Sequence, residues 1–102
     1  MDMKKMMKQA QRMQLELARA QEEIKEMTFE GSAGGGMVKA VALGDLTIKS
    51  VSIDANAIDP DDTEMLEDMV CAAVNEALRG INELSSSRLN SVTGGMNIPG
   101  LM

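Results

Sequence analysis

The segment MKKMMKQAQRMQLELARAQEEIKEM, Met3–Met27, places apolar residues at alternating spacings of three and four along the chain. This spacing continues through four heptads without Gly or Pro, so it predicts a coiled-coil-like helix from about Asp2 to Met27. The apolar positions are Met3, Met6, Ala10, Met13, Leu17, Ala20, Ile24 and Met27. The helix would be roughly 37 Å long, too long for the core of a 102-residue chain to cover. We therefore expect it to project and to pack against a second copy.

Basic residues cluster in the first three turns of this helix, away from the apolar seam. They are Lys4, Lys5, Lys8 and Arg12. A solvated outer face is the ordinary explanation for such residues. However, cations oppose the positive N-terminal pole of the helix dipole, where helix stability alone favours acids. A binding role for the cluster is therefore weighed equally with solvation.

Three short runs after the helix predict an antiparallel meander. Thr28–Ala33 alternates with strand periodicity and turns Phe29 inward, while residues 37–43 and 46–53 are rich in β-branched and apolar residues. Gly44-Asp45 separates the last two runs, which predicts a two-residue hairpin with a type II′ turn.

The stretch GSAGGGMVKA, Gly31–Ala40, has the glycine spacing of a phosphate-binding loop but not its chemistry. Met37 and Val38 occupy the positions where that motif needs Lys and then Ser or Thr, and a strand follows instead of a helix. We interpret the glycines as shaping the backbone at a corner that joins the first two strands while the long helix passes across it.

The second half of the chain predicts one further helix. Asp59 is the predicted N-cap and Pro60 the first helical residue, followed by acids that suit a helix N-terminus. A wide apolar face runs from Met65 to Leu84, and fraying is expected near SSSRLNS. The order is α-β-β-β-α, an α+β fold, with a single domain over residues 1–92 and an irregular tail over 93–102.

Composition limits the function. The chain has no His and one Cys, which disfavours a zinc site, and no residue set marks a catalytic centre. Cys71 lies in an apolar run and is predicted to be a buried small hydrophobe in a reducing compartment. No apolar segment resembles a leader or a membrane span, so we expect a cytoplasmic protein. The net charge is −6, yet it is uneven, because the first helix begins basic and residues 54–68 hold seven acids and no base.

Four ordered motifs resemble the YbaB/EbfC family of bacterial nucleoid-associated proteins. They are MKQAQRMQ, GSAGGGMVK, SIDANAIDPDDTEMLEDMVCAAVNEA and SVTGGMNIPG, and together they span nearly the whole chain. The resemblance implies a tweezer-like homodimer that binds DNA, with roles in nucleoid organisation and gene regulation and without enzymatic activity.

These expectations assign residues to two surfaces. The predicted DNA contacts are Lys4, Lys5, Lys8, Gln9, Gln11, Arg12 and Arg88. The predicted dimer interface contains Met6, Met13, Leu17, Ile24, Met69 and Leu78. Double-stranded DNA and a second copy are the expected partners, with no cofactor, metal, membrane or small-molecule substrate. The alternative is an acidic protein-interaction module, such as a chaperone or assembly adaptor, that uses its methionine-rich surface.

Overall fold

Two long helices and three short strands make up the computed structural model, which describes residues 2–93. The elements are α1 (Met3–Glu26), β1 (Thr28–Ala33), β2 (Val38–Leu43), β3 (Ile48–Ile53), a 3-10 turn (Ala55–Ala57) and α2 (Thr63–Val92). The strands form one antiparallel sheet in the order β1-β2-β3. The predicted α+β fold and its α-β-β-β-α order are confirmed. The predicted tail lies, from residue 94 onward, outside the described residues.

The protein is elongated. It measures 72 × 25 × 16 Å and has a radius of gyration of 19.6 Å, whereas a compact domain of about 100 residues has a radius near 13 Å. The length arises because α1 leaves the sheet at Met27 and extends away from it. Only Ala20 and Ile24 of this helix are buried, so the structure confirms that α1 projects from the core.

The core lies between α2 and the face of the sheet formed by β1 and β2. Alternate residues of β2 point into it, and α2 contributes residues spaced by four. The fully buried members are Val38, Ala40, Ala42, Ala73, Ala77 and Ile81. Because most of these side chains are small, the helix lies close to the strands. Phe29 packs against this cluster beside Gly80, which confirms its predicted inward orientation.

Gly31 marks the closest approach of β1 to α2. A Cβ atom at this position would overlap the carbonyl oxygen of Ala73 and the backbone nitrogen of Ala77. We expect Gly31→Ala to lower the free energy of unfolding by about 2 kcal/mol, because the helix backbone has to move away from the sheet. Urea denaturation measures this loss. Ser32→Ala, on the exposed face of the same strand, is the control and should change stability by less than about 0.5 kcal/mol.

The glycine-rich corner is the β1–β2 turn. Gly34, Gly35 and Gly36 have φ angles of 63°, 67° and 93°, a region that costs residues with a Cβ atom about 1–2 kcal/mol each. The backbone role of these glycines is therefore confirmed. The helix beside them is α2, whose Met69 Sδ lies over Gly34. The expectation that the long N-terminal helix crosses this corner is wrong, since α1 joins the opposite end of β1.

The β2–β3 connection differs from the predicted two-residue type II′ turn. Leu43 and Thr47 close a three-residue loop through the bond from Leu43 N–H to Thr47 O of 2.8 Å. Leu46, not Gly44, has the positive φ, at 65°. The Thr47 hydroxyl, and then its backbone N–H, donate to the carboxylate of Asp45 in the loop and hold the pKa of that group below its ordinary value.

Gly44 is required at this loop for a different reason. Its N–H donates to Met27 O at 3.0 Å, and a Cβ atom there would overlap the carbonyl oxygen of Ile24. The last turn of α1 therefore rests directly on the β2–β3 loop, and glycine permits that contact.

The start of α2 lies three residues later than predicted. Asp62 is the N-cap, and its carboxylate accepts a bond from Met65 N–H at 3.2 Å. Asp59 instead accepts from Asp61 N–H at 2.9 Å and closes the preceding turn. Pro60 therefore lies in that turn and not at the first helical position.

The end of α2 also differs from its prediction. The helix continues through SSSRLNS to Val92 without fraying. Within this run, the hydroxyls of Ser85 and Ser91 donate to the carbonyl oxygens of Ile81 and Arg88. These bonds satisfy hydroxyls that otherwise compete with helical structure.

Cys71 is exposed, so its predicted burial is wrong. The apolar run of α2 is wide, but residue 71 lies outside the stripe that faces the sheet. Its helical neighbours at positions 67, 68 and 75 are Glu67, Asp68 and Asn75, which are all exposed as well.

Candidate nucleic-acid interface

The first three turns of α1 form an isolated helical tip, defined here as residues 2–12. Every residue of the tip is exposed. The nearest part of α2 is its last turn, because Ser91 and Val92 line a cavity together with Glu16 and Arg19 of α1. The residues from Met3 to Arg12 therefore extend about 15 Å beyond the part of α1 that α2 accompanies.

Four cations share one side of this tip. Lys4, Lys8 and Arg12 are spaced by four residues and form a row with steps of about 6 Å, and Lys5 lies beside them. At about 100° per residue the four positions fall within an arc of about 100°. We call this set the cation stripe. A helix that carries such a row presents charge along its length, as a phosphate backbone does.

The charges of the cation stripe are not neutralised by ion pairs within residues 2–93. Ion pairs among residues 2–93 are Lys25–Glu22 and Arg88–Glu23, so the stripe takes part in neither. The one acid of the tip, Asp2, caps α1 by accepting a bond from Lys4 N–H at 3.1 Å. Like charges spaced by four residues disfavour the helix, and the dipole disfavours them further. The local structure therefore offers no stabilising reason for the stripe.

The two predicted glutamine contacts lie on either side of the cations. By helical rotation, Gln11 falls next to Lys4 on one flank, and Gln9 lies beyond Lys5 on the other. Both are exposed. Their amides can donate to phosphate oxygens or pair with base edges.

The opposite side of the tip is apolar. Met3, Met6 and Met7 are 75%, 50% and 60% exposed, and together with Ala10 they line a shallow cavity of about 290 Å³. Met3, Met6 and Ala10 form the N-terminal part of the predicted coiled-coil seam, and Met7 lies beside it. The three methionines are named here the tip methionines. The described protomer leaves them uncovered.

The other predicted interface residues are partly covered by the protomer itself. Met13 and Leu17 are half-buried, and Ile24 is buried where α1 meets Gly44. Met69 and Leu78 pack against the core. The seam therefore changes character along α1, from covered at the sheet to open at the tip. The assignment of these residues to a dimer interface stays a prediction.

Arg88 lies far from the tip. Its guanidinium binds the Glu23 carboxylate, with Nη2 and Nε at 2.8 and 2.9 Å from Oε2, and Nη1 donates to Ser91 at 3.1 Å. Glu23 is separated from Lys4 by about 28 Å of helix. The structure thus brings the cation stripe together and places Arg88 elsewhere, beside Arg19. Its role as a DNA contact stays a prediction.

Sequence reasoning missed an apolar surface on β3. Val51 and Ile53 are 42% and 40% exposed, although their partners in the register, Ala40 and Val38, are buried under α2. Helix α2 covers β1 and β2 more fully than β3. The alternation of β-branched residues along β3 was the available signal, and the predicted meander places this strand at an edge, but the incomplete cover by α2 was not apparent from the sequence.

Other chemistries find little support in residues 2–93. No group of three or more Cys, Asp or Glu side chains there is arranged to hold a metal ion. Neither of the two long helices described has an apolar stretch sufficient to cross a bilayer.

Comparison with known proteins agrees with the fold and identifies the family. A model of the YbaB/EbfC DNA-binding family matches residues 1–96. The chain belongs to this family. The resemblance stated from the four sequence motifs is confirmed.

Relatives of this family member cover nearly its whole length. A nucleoid-associated protein of Caldanaerobacter subterraneus is 53% identical over 96 residues, which is 94% of this chain and 86% of the relative. A nucleoid-associated protein of Pelotomaculum thermopropionicum is 50% identical over 100 residues, or 98% and 95% of the two chains. The crystal structure of an uncharacterized Helicobacter pylori protein superposes with a TM-score of 0.73 at 21% identity, covering 92% of this chain and 99% of that one. This last likeness concerns the fold alone.

Proposed function

We propose that this protein is a nucleoid-associated homodimer that grips duplex DNA through the cation stripe at the tip of α1. The observation that carries the proposal is an unpaired row of cations on a helix segment that projects from an acidic protein. Membership of a DNA-binding family supports it, as do relatives named nucleoid-associated proteins. Location on the nucleoid, nucleoid organisation and gene regulation are the corresponding cellular roles.

A homodimer explains the apolar surfaces that the protomer leaves uncovered. The inner face of β3 exposes Val51 and Ile53, and the middle of α1 leaves Met13 and Leu17 only half-buried. Burying such surfaces between two copies stabilises the dimer by about 25 cal/mol for each Å² of apolar area. Two projecting tips then give the dimer a tweezer-like outline with two basic ends.

The cation stripe is suited to phosphates and not to reading a sequence. Lys and Arg neutralise phosphates and release counterions, which supplies affinity that is nearly independent of sequence. The two glutamines are the candidate contacts to base edges, and they are few. We therefore expect modest sequence preference and a strong dependence on salt.

A salt titration of duplex binding tests this mechanism. With four tip cations in each of two protomers, the logarithm of the association constant should fall against the logarithm of salt with a slope as steep as about −7. Mobility-shift titrations with a random duplex and a defined duplex, each over a range of salt, measure the slope and the preference together. A flat dependence on salt would contradict binding through the stripe.

The alternative, an acidic protein-interaction module, predicts a different result on purification. If nucleic acid that a nuclease can digest co-purifies with the protein and dissociates at high salt, the DNA-binding proposal is supported. A defined polypeptide that stays bound at high salt, in the absence of nucleic acid, supports the module.

A further inference from the structure

An open groove lies at the end of the protein remote from the tip, between the start of α2 and the β1–β2 turn. Its volume is about 500 Å³. Methionines give it an apolar part, with Met65 57% exposed and Met69 lying over Gly34. Carboxylates give it a negative part. The residues that matter here are Gly34, Asp62, Glu64, Met65, Asp68 and Met69.

The carboxylates of the groove have no cationic partner in the part of the chain that the structure describes. The two ion pairs of the described chain involve other residues, and the sequence has no Lys or Arg between Lys49 and Arg79. Asp62 is occupied as the cap of α2, with its bond to Met65 N–H. Glu64 and Asp68 are exposed and spaced by four residues, so they form a row of two negative charges about 6 Å apart.

The tip of α1 is the counterpart of this groove. Lys4 and Lys8 form a row of two positive charges with the same spacing of four residues, and the tip methionines lie on the other side of the same helix. Methionine side chains adapt their shape to one another. The two surfaces therefore carry charges of opposite sign at the same spacing, and each also has an apolar part.

The fold keeps these two surfaces from meeting within one protomer. Helix α1 enters the sheet at Gly44, and β1 then leads away from that point to Ala33, which lines the groove. The tip and the groove thus occupy opposite ends of a protein 72 Å long. We propose that the tip of one molecule docks into the groove of a second copy, head to tail.

Such a contact joins two different surfaces, so it does not close on itself and extends dimers into chains. Exposed ion pairs are individually weak and are screened by salt, so the chains form reversibly at low salt. Duplex DNA and the groove would compete for the same tip. This competition rests on the proposed DNA-binding function, whereas the docking does not.

Exchanging the charges of the two surfaces tests the docking directly. One variant, Lys4→Glu with Lys8→Glu, makes the tip acidic. The other, Glu64→Lys with Asp68→Lys, makes the groove basic and leaves the Asp62 cap in place. Weight-average mass is measured by sedimentation equilibrium without DNA, at about 0.1 M and about 1 M salt, where the Debye length falls from about 10 to about 3 Å.

We expect the weight-average mass of the wild-type protein to rise with protein concentration at the lower salt. At the higher salt it should return to the mass of the protein without head-to-tail contacts. Each variant alone should lose this rise, because like charges then face each other. An equal mixture of the two variants should recover it, since each supplies the partner that the other needs. Absence of the rise in the wild type, or no recovery in the mixture of folded variants, would overturn the proposal.

Two controls separate this result from general charge effects and from the DNA-binding proposal. The control Glu76→Lys with Glu83→Lys changes the net charge by the same amount as the groove variant, but on exposed residues of α2 outside the groove. This control should associate as the wild type does. The groove variant keeps every tip cation and lacks the competing groove. If the proposed function holds, it should therefore bind duplex DNA at least as tightly as the wild type, so a failure of DNA binding in this variant is distinct from a failure of docking.

Discussion

Alanine at Lys4, Lys5 and Lys8 together is expected to lower the affinity for duplex DNA at least about 100-fold at about 0.1 M salt. Six of the eight tip cations of the proposed dimer are then missing. The salt dependence should flatten at the same time, from a slope near −7 to one near −2, because each phosphate contact contributes about −0.9. Mobility-shift titrations of the variant and the wild type over the same salt range give both quantities.

The matched control removes three lysines elsewhere. Lys25, Lys39 and Lys49 are exposed and lie outside the tip, so alanine at all three shifts the net charge by the same amount. We expect this control to weaken binding less than about threefold and to keep the slope, because distant charges are screened beyond about 10 Å. Equal losses in the two variants would show that overall charge, and not the cation stripe, governs binding.

The tip variant should remain folded. Removing lysines from the first turns relieves repulsion between Lys4 and Lys8 and the opposition to the helix dipole. Its free energy of unfolding is therefore expected to equal or slightly exceed that of the wild type. A loss of DNA binding in this variant thus reports on the contact itself.

Gly44→Ala is expected to have the largest effect on stability, a loss of about 3 kcal/mol or more in the free energy of unfolding. The new Cβ atom would overlap the carbonyl oxygen of Ile24 and lie 2.5 Å from its carbon. Both belong to the backbone, which cannot turn aside as a side chain does. The bond from Gly44 N–H to Met27 O has to break or α1 has to separate from the loop. Urea denaturation, followed by circular dichroism, measures the loss.

Gly35→Ala supplies the comparison for this substitution. A Cβ atom at Gly35 meets no atom within 4 Å, but φ is +67° there, so the expected cost is about 1–2 kcal/mol from backbone strain alone. If Gly44→Ala cost no more than Gly35→Ala, close packing of α1 on the loop would not be the reason for glycine at position 44.

The local pattern of apolar residues was sufficient to predict the order of the helices and strands. The spacing of Met3 to Met27 predicted α1 to within one residue at each end, since apolar periodicity is a local property of the helix. The alternation around Phe29 predicted β1 with its bounds for the same reason. The cation stripe was also visible, because residues spaced by four necessarily share one side of a helix.

Features that depend on distant contacts were not predictable in this way. The seam is equally apolar at Met6 and at Ile24, yet only Ile24 is buried, because the sheet and Gly44 meet that end of α1. Leu46 takes a positive φ although leucine carries no preference for it, since the position of the loop against α1 determines the turn. Asp59 and Asp62 have the same side chain, so either one suits a helix N-cap. The turn around Pro60 determines that Asp62 caps α2.

Because α1 is held mainly through its C-terminal half, its N-terminal half is a lever arm that begins near Glu16, where the contact with α2 ends. From Met3 to Glu16 the arm is about 20 Å long, so a rotation of about 10° at its base moves the tip by about 3 Å. That displacement is about one base-pair step along one DNA strand, which is about 3.4 Å. A small rotation that leaves the strands undisturbed would therefore shift the lysines by one phosphate interval. In the proposed dimer, this rotation would set the span between the two basic ends.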